Sequence, residues 1–221
     1  MTLPFPTEQF FAVFADYNAA IWPAQVVACV MGAAVMIGIL ARWKHAAPLS
    51  LAVLAVFWAW TGIAYHFYHF TVINMAAYLF CALFVAQAGL LAAAAFGGPH
   101  MRVAPPRPVY AVAAWALILY AVFIYELLGY LAGHGLMKGP LFGVAPCPTT
   151  IFTIGVLLLL RGPGFLAISI IPAIWSVIGT SAAILLSVAE DVGLAAAVAV
   201  LVARWIDKPD TGGTQTLSEE T

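Results

Sequence analysis

Apolar residues fill most of this chain in long runs, and the polar positions fall between them. Seven runs stand out, at 19–41, 49–69, 72–96, 109–132, 148–161, 164–187 and 189–206. A helix needs about 20 apolar residues to cross the hydrocarbon of a bilayer. The pattern therefore predicts an all-α fold, an integral membrane bundle of seven transmembrane helices. The fifth run is short. It opens in "GVAPCPTTIF", residues 143–152, where Pro146 and Pro148 flank Cys147. Proline removes a backbone donor and blocks a helix interior, so nearby carbonyls need other partners. A six-span arrangement, with the fifth segment re-entrant, is the main alternative.

Charge decides between the two and sets the orientation. Lys and Arg favour cytoplasmic loops. With seven spans, Arg42, Lys44, Arg102, Arg107, Arg161, Arg204 and Lys208 share one side, and of the eight basic residues only Lys138 lies opposite. With six, Arg161 and the C-terminal pair would separate. The expectation is an N-terminus outside and a C-terminus inside. One transmembrane domain would occupy 1–206, and the polar tail 207–221, "DKPDTGGTQTLSEET", would be disordered in the cytoplasm. The opening "MTLPFPTEQFFAVFADYN" lacks the basic start of a signal peptide. Phe10, Phe14 and Tyr17 share a helical face there, suited to an interfacial lead-in anchored by Trp22.

Composition agrees. The chain of 221 residues is 65% hydrophobic and 8% charged, with a mean hydropathy of +1.04. A soluble domain carries roughly 25% charged residues. No basic tract points to nucleic acid. The three cysteines, Cys29, Cys81 and Cys147, lie in or beside apolar runs and do not form a disulfide framework.

The candidate chemistry concentrates on the outer side. His66 and His69 end span two, Asn74 starts span three, and Glu126 lies inside span four, which ends near His134. Cys147, Thr149 and Thr150 start span five, and Glu190 and Asp191 start span seven. An acidic residue within a span faces the bundle interior or a water-filled cavity and has a partner. His66 and His69, three apart, lie on one side of a regular helix. With Cys147 and Glu126 they form a ligand set suited to Zn or Cu. Glu126, Asn74, Thr149, Glu190 and Asp191 could line a ligand pocket, with Glu190 and Asp191 guarding its entrance and the Pro-Cys-Pro break forming a wall. The inner half offers nothing comparable.

Each signal also has a plainer reading. Histidines at a membrane interface are often only interfacial polar residues, and Cys147 could be a small apolar filler. Pro146 could simply start a helix. Glu190 and Asp191 suit the N-terminal dipole of span seven. In span six, Ser169, Ala173, Ser176, Thr180, Ala183 and Ser187 suit close helix packing, and Pro172 predicts a kink. In span two, Trp58, Gly62, Tyr65 and His69 share the face expected to turn inward.

The segments "PFPTEQFFAVFADYNAAIWPAQ", "GIAYHFYHFTVIN", "PLFGVAPCPTTIFTIG" and "AEDVGL" resemble a family of uncharacterised bacterial multi-span membrane proteins, a domain of unknown function. The resemblance implies a bacterial inner-membrane location and brings no activity. Two other seven-span classes are tested by residues. Rhodopsin-type retinal chemistry needs a lysine in the last span, and hydrolases of the ceramidase or adiponectin-receptor type need histidines there; 189–206 has neither. The expected function is binding of a metal ion or small polar solute at the periplasmic side, with transport as the use of that binding. The alternatives are a metal-dependent intramembrane enzyme of hydrolase type and a structural or assembly subunit. Expected partners are the lipid bilayer and either a second copy or another membrane protein.

Overall fold

The computed structural model describes residues 5–97, 101–133, 135 and 137–207. His134, Lys208 and the tail expectation for 208–221 lie outside the described residues. Helix dominates, as the hydropathy pattern requires: in a chain this apolar, backbone groups removed from water pair within their own segment. Helix α1 (Thr7–Ala20) meets α2 (Ala24–Leu40) at a bend of 84°. Pro23, which has no N–H to donate, stands at the break. Helix α3 (Ala46–Trp60) continues as a wider π-helical stretch, Thr61–Phe67, and a 3-10 turn, Phe70–Val72. Then follow α4 (Ala77–Phe96), α5 (Pro108–Leu119), a second π-helical stretch (Tyr120–Ile124) and α6 (Tyr125–Leu131). The remaining helices are α7 (Pro146–Leu159), α8 (Phe165–Leu186) and α9 (Val192–Ile206), with a 3-10 turn, Ala189–Asp191, leading into the last.

Four helical segments are long and apolar enough to cross a membrane: Ala46–Val72, Ala77–Phe96, Pro108–Leu131 and Phe165–Leu186. The bent pair α1–α2 qualifies only when taken together. Helix α7 is different. Its 14 residues span about 21 Å at ~1.5 Å per residue, short of a ~30 Å hydrocarbon core. Every residue of α7 except Cys147 is fully buried. It is the central helix, packed by α3, α5, α8 and α9. Gly155 permits the closest approach: a Cβ there would lie 2.9 Å from Ile118 Cγ1 and 3.0 Å from the Ala114 carbonyl of α5.

The sequence predicts helices only, but two short strands also form. Arg102–Val103 (β1) pairs antiparallel with Leu160–Arg161 (β2), setting Arg102 opposite Arg161. The pairing ties the segment after α4 to the end of α7. Arg107 at the start of α5 meets Asp207 just past α9 at 2.9 Å. Arg204 donates through Nη1 to Leu157 O at 2.8 Å and through Nη2 to Leu160 O. Arg102, Arg107, Arg161 and Arg204 therefore share one end of the bundle.

The segment between α6 and α7 turns back into the bundle at the other end. Residues 139, 140 and 142–146 are buried. Irregular backbone inside a membrane bundle needs protein partners for its polar groups, and three side chains supply them. Asn18 Nδ2 donates to Met137 O at 3.0 Å and Gly139 O at 2.9 Å. Tyr17 OH donates to Val144 O at 2.7 Å, and the Phe142 N–H donates to Glu126 Oε1 at 3.1 Å. Gly143 takes φ +72°, and a Cβ there would stand 2.8 Å from Ala28 Cβ, so both the turn and its packing want glycine.

Pro172 lies inside α8 and leaves the Ile168 carbonyl, four residues back, without its helical donor. Gln87 Nε2 of α4 donates to that oxygen at 2.7 Å. On α8, Ser169, Ala173, Ser176 and Ala183 are buried, so the small-residue stripe packs, while Ser187 is exposed.

Candidate functional site

A cavity of about 350 Å3 lies at the end of the bundle opposite the arginines. Phe5, Phe10 and Phe14 line it from the α1 side, and Tyr65, His66 and Phe70 from the extension of α3. Phe80 comes from α4, Cys147 from the start of α7, Trp175 from α8 and Asp191 from the turn before α9. Pro140 and Pro146 also line it. The Pro-Cys-Pro break is thus a wall of the chamber, with Pro146 at the first turn of α7. Helix α1 presents its aromatic face to this chamber, where Phe14 and Tyr17 are fully buried.

The π-helical stretch after α3 selects which histidine faces inward. Regular helical spacing carries the face Trp58, Gly62, Tyr65 on to His69. The wider turn instead buries Tyr65 and His66 together, with Trp58 and Gly62 before them. His69 bonds locally: its Nδ1 lies 2.7 Å from Ala64 O, and because a carbonyl only accepts, Nδ1 carries the proton. Its ring stands edge-on to Tyr17 at 5.0 Å. His66 and His69, expected as joint ligands, stand in different surroundings because of the π-helical geometry.

His66 is fully buried among aromatic rings. Ring centroids lie at 4.7 Å for Phe84, 5.1 Å for Trp175 and Tyr65, and 5.6 Å for Phe80. Neither ring nitrogen has a hydrogen-bond partner. Trp175 Nε1 is buried as well, and the group it faces is the Cys147 thiol. Leaving such groups unpaired costs about 1–3 kcal/mol each, so two unmet nitrogens on one side chain facing a cavity are unusual in a packed bundle. At the chamber's inner edge, Cys147 lies against the Asp191 carboxyl, and Asp191 Oδ1 accepts from Tyr125 OH at 2.5 Å.

The other candidates separate from this group. Glu126 is half-buried, and among the described residues its partner is the Phe142 N–H rather than a cation or an imidazole. Asn74 lines the rim, where its Oδ1 accepts from Ala76 N at 3.0 Å just ahead of α4. Thr149 is buried on α7 with its hydroxyl unpaired, whereas Thr150 Oγ1 donates to Pro146 O at 2.8 Å. Glu190 and Asp191 are both buried, so neither stands at an entrance. Glu190 turns towards α6, with Oε1 3.1 Å from where a Cβ on Gly129 would lie, and its carbonyl accepts from Tyr120 OH at 2.7 Å. Among the described residues, no group of three or more His, Cys, Asp or Glu side chains could hold a metal ion. The described residues do not gather His66, His69, Cys147 and Glu126, the set expected for Zn or Cu, into one such group. The residues that sequence reasoning missed are Trp175, Phe80 and Tyr125. All three read as ordinary apolar-run aromatics, and only the fold shows their convergence.

Residues 7–209 match a family of unknown function (DUF6064), and the chain belongs to that family. No curated protein and no solved structure matches the chain.

Proposed function

We propose that this chain is an integral membrane protein that binds a small, largely apolar or aromatic molecule bearing a hydrogen-bonding group, in the chamber between α1, the α3 extension, α4 and α8. The observation that carries this reading is the pair of unpartnered His66 nitrogens in an aromatic-walled cavity. One imidazole nitrogen can donate and the other accept, and Trp175 Nε1 adds a donor. A ligand carrying a carbonyl or hydroxyl would meet these needs, and its body would stack on Phe10, Phe80 and Tyr65. A small hydrated ion would find mostly rings. This narrows the solute expected from sequence to one with an apolar body.

In this reading the bundle makes seven crossings, with the chamber at the periplasmic side and the C-terminus in the cytoplasm. The gathering of Arg102, Arg107, Arg161 and Arg204 at one end supports that orientation under the positive-inside rule. Helix α1 would lie at the interface and cover the chamber, and Trp22, 64% exposed, would sit at headgroup level. A bacterial inner membrane fits the family resemblance. Binding is favoured over catalysis because the His66 nitrogens make no hydrogen bond to Cys147, so no thiol–imidazole pair is assembled.

The test is extraction. Full-length protein purified in mild detergent, without a histidine tag, is extracted with organic solvent and the extract analysed by mass spectrometry. A compound bound near one-to-one in the wild type and lost in His66→Leu is expected. Identical extracts from the two proteins would sink the reading.

A further inference from the structure

The opposite end of the bundle holds a second hollow, of about 370 Å3, whose chemistry is unlike that of the chamber. Arg107, Arg161 and Arg204 line it, with Asp207 as the one acidic group of the lining among the described residues. Tyr110 and Phe165 also contribute.

Each arginine is placed by a different device. Arg204 is held by the carbonyls of Leu157 and Leu160, with its guanidinium carbon 3.8 Å above the Phe165 ring. Those partners are neutral, so the charge is fixed in place but not cancelled. Arg107 pairs with Asp207 at 2.9 Å, and Tyr110 OH holds the other oxygen of that carboxylate at 2.8 Å. Arg161 is exposed on β2, directly across the ladder from exposed Arg102. Like charges opposite one another destabilise a strand pair. A two-residue ladder that brings two arginines together, beside a hollow holding two more, calls for a counter-anion.

We propose that this hollow binds a phosphate-bearing anion. Guanidinium forks match phosphate oxygens in pairs, and among the described residues Arg161 and Arg204 meet no carboxylate, which leaves the site net positive. The same chemistry could come from an anionic lipid headgroup or from free phosphate. Phe165 and Leu166 offer an apolar floor on which an acyl chain could lie. The site is independent of the aromatic chamber and stands whether or not that chamber binds a ligand.

The full chain, purified in an uncharged detergent, is titrated by native mass spectrometry with phosphatidylglycerol and with phosphatidylcholine. Separate samples receive millimolar inorganic phosphate. Retention of phosphatidylglycerol at about tenfold lower concentration than phosphatidylcholine is expected, since one strong charged contact carries about that factor. Arg161→Gln should erase most of the preference. Asp207→Asn, which removes a negative charge from the lining, should strengthen it, so the test survives if one variant fails to fold. A lipid preference that inorganic phosphate does not displace assigns a headgroup. Thermal stabilisation by inorganic phosphate, lost in Arg161→Gln and without lipid preference, assigns a free anion. Equal retention of the two lipids together with no phosphate effect overturns the proposal, as does an anion effect that neither variant changes.

Discussion

Glu126 Oε1 accepts the backbone N–H of Phe142 at 3.1 Å, so the acidic residue of α6 clamps the returning segment that becomes α7. Phe142 is fixed in turn by ring contacts to Phe152 at 4.9 Å and Phe57 at 5.7 Å. An oxygen acceptor is what this contact needs. Glu126→Gln should leave the thermal midpoint nearly unchanged in detergent. Glu126→Leu should lower stability by about 1–3 kcal/mol, the cost of stranding a buried donor. Equal damage from both variants would show that the charge itself matters and that a cation or proton shares the site.

His66 gives the opposite sign. In ligand-stripped protein, His66→Leu removes two buried, unpartnered nitrogens and should raise stability by about 1–2 kcal/mol. Scanning calorimetry or a thiol-independent thermal shift reads this directly. A clear loss of stability would mean that the imidazole is satisfied in the intact protein.

Gln87 and Pro172 should be coupled. Gln87→Leu strands Ile168 O and is expected to cost about 1–2 kcal/mol. Pro172→Ala restores an N–H that can serve the same oxygen, so the double variant should recover most of the loss. A double-mutant cycle measures the coupling, and purely additive losses would contradict the geometry.

Much of the helix layout was legible from hydropathy. The runs at 109–132 and 164–187 lie within a few residues of Pro108–Leu131 and Phe165–Leu186. The run from 72 actually starts at Ala77, because Phe70–Val72 is a 3-10 turn and Asn74 Oδ1 holds a turn at Ala76 just ahead of the next helix. The short run at 148–161 was visible, but its place at the bundle centre was not, since lipid and protein interiors favour the same residues. Cys147 and Asp191 stood out as polar groups in an apolar chain, and both line the chamber. His69 was misplaced because nothing in "GIAYHF" distinguishes a π-helical stretch from regular helix. The contact of Glu126 with Phe142 was not legible, because a backbone N–H leaves no mark in the sequence. The arginine hollow was overlooked because Arg161 and Arg204 read as loop charges until the strand pair and the Leu157 and Leu160 carbonyls position them.

Gly155→Ala tests the approach of α7 to α5. The added methyl would press on Ile118 and on the Ala114 carbonyl, and a backbone atom cannot swing aside. A loss of about 1–3 kcal/mol is expected. Retained stability would require the two helices to separate, which a cross-link between positions 114 and 155 would detect.

Helix α7 is apolar for the reason that the middle of a water-soluble protein is apolar: it is surrounded by its own chain. The outer surface of α5, where Val112 is 72% exposed, is apolar for a different reason, its solvent. Selection should therefore act on the two by different rules. Along α7, variants should be rejected by shape, so that Ile154→Phe fails although it is no less greasy. At Val112 they should be rejected by polarity, so that Phe is accepted and Asp is not. Saturation mutagenesis with a surface-expression readout would separate these two grammars, and would show which turns of each helix face lipid.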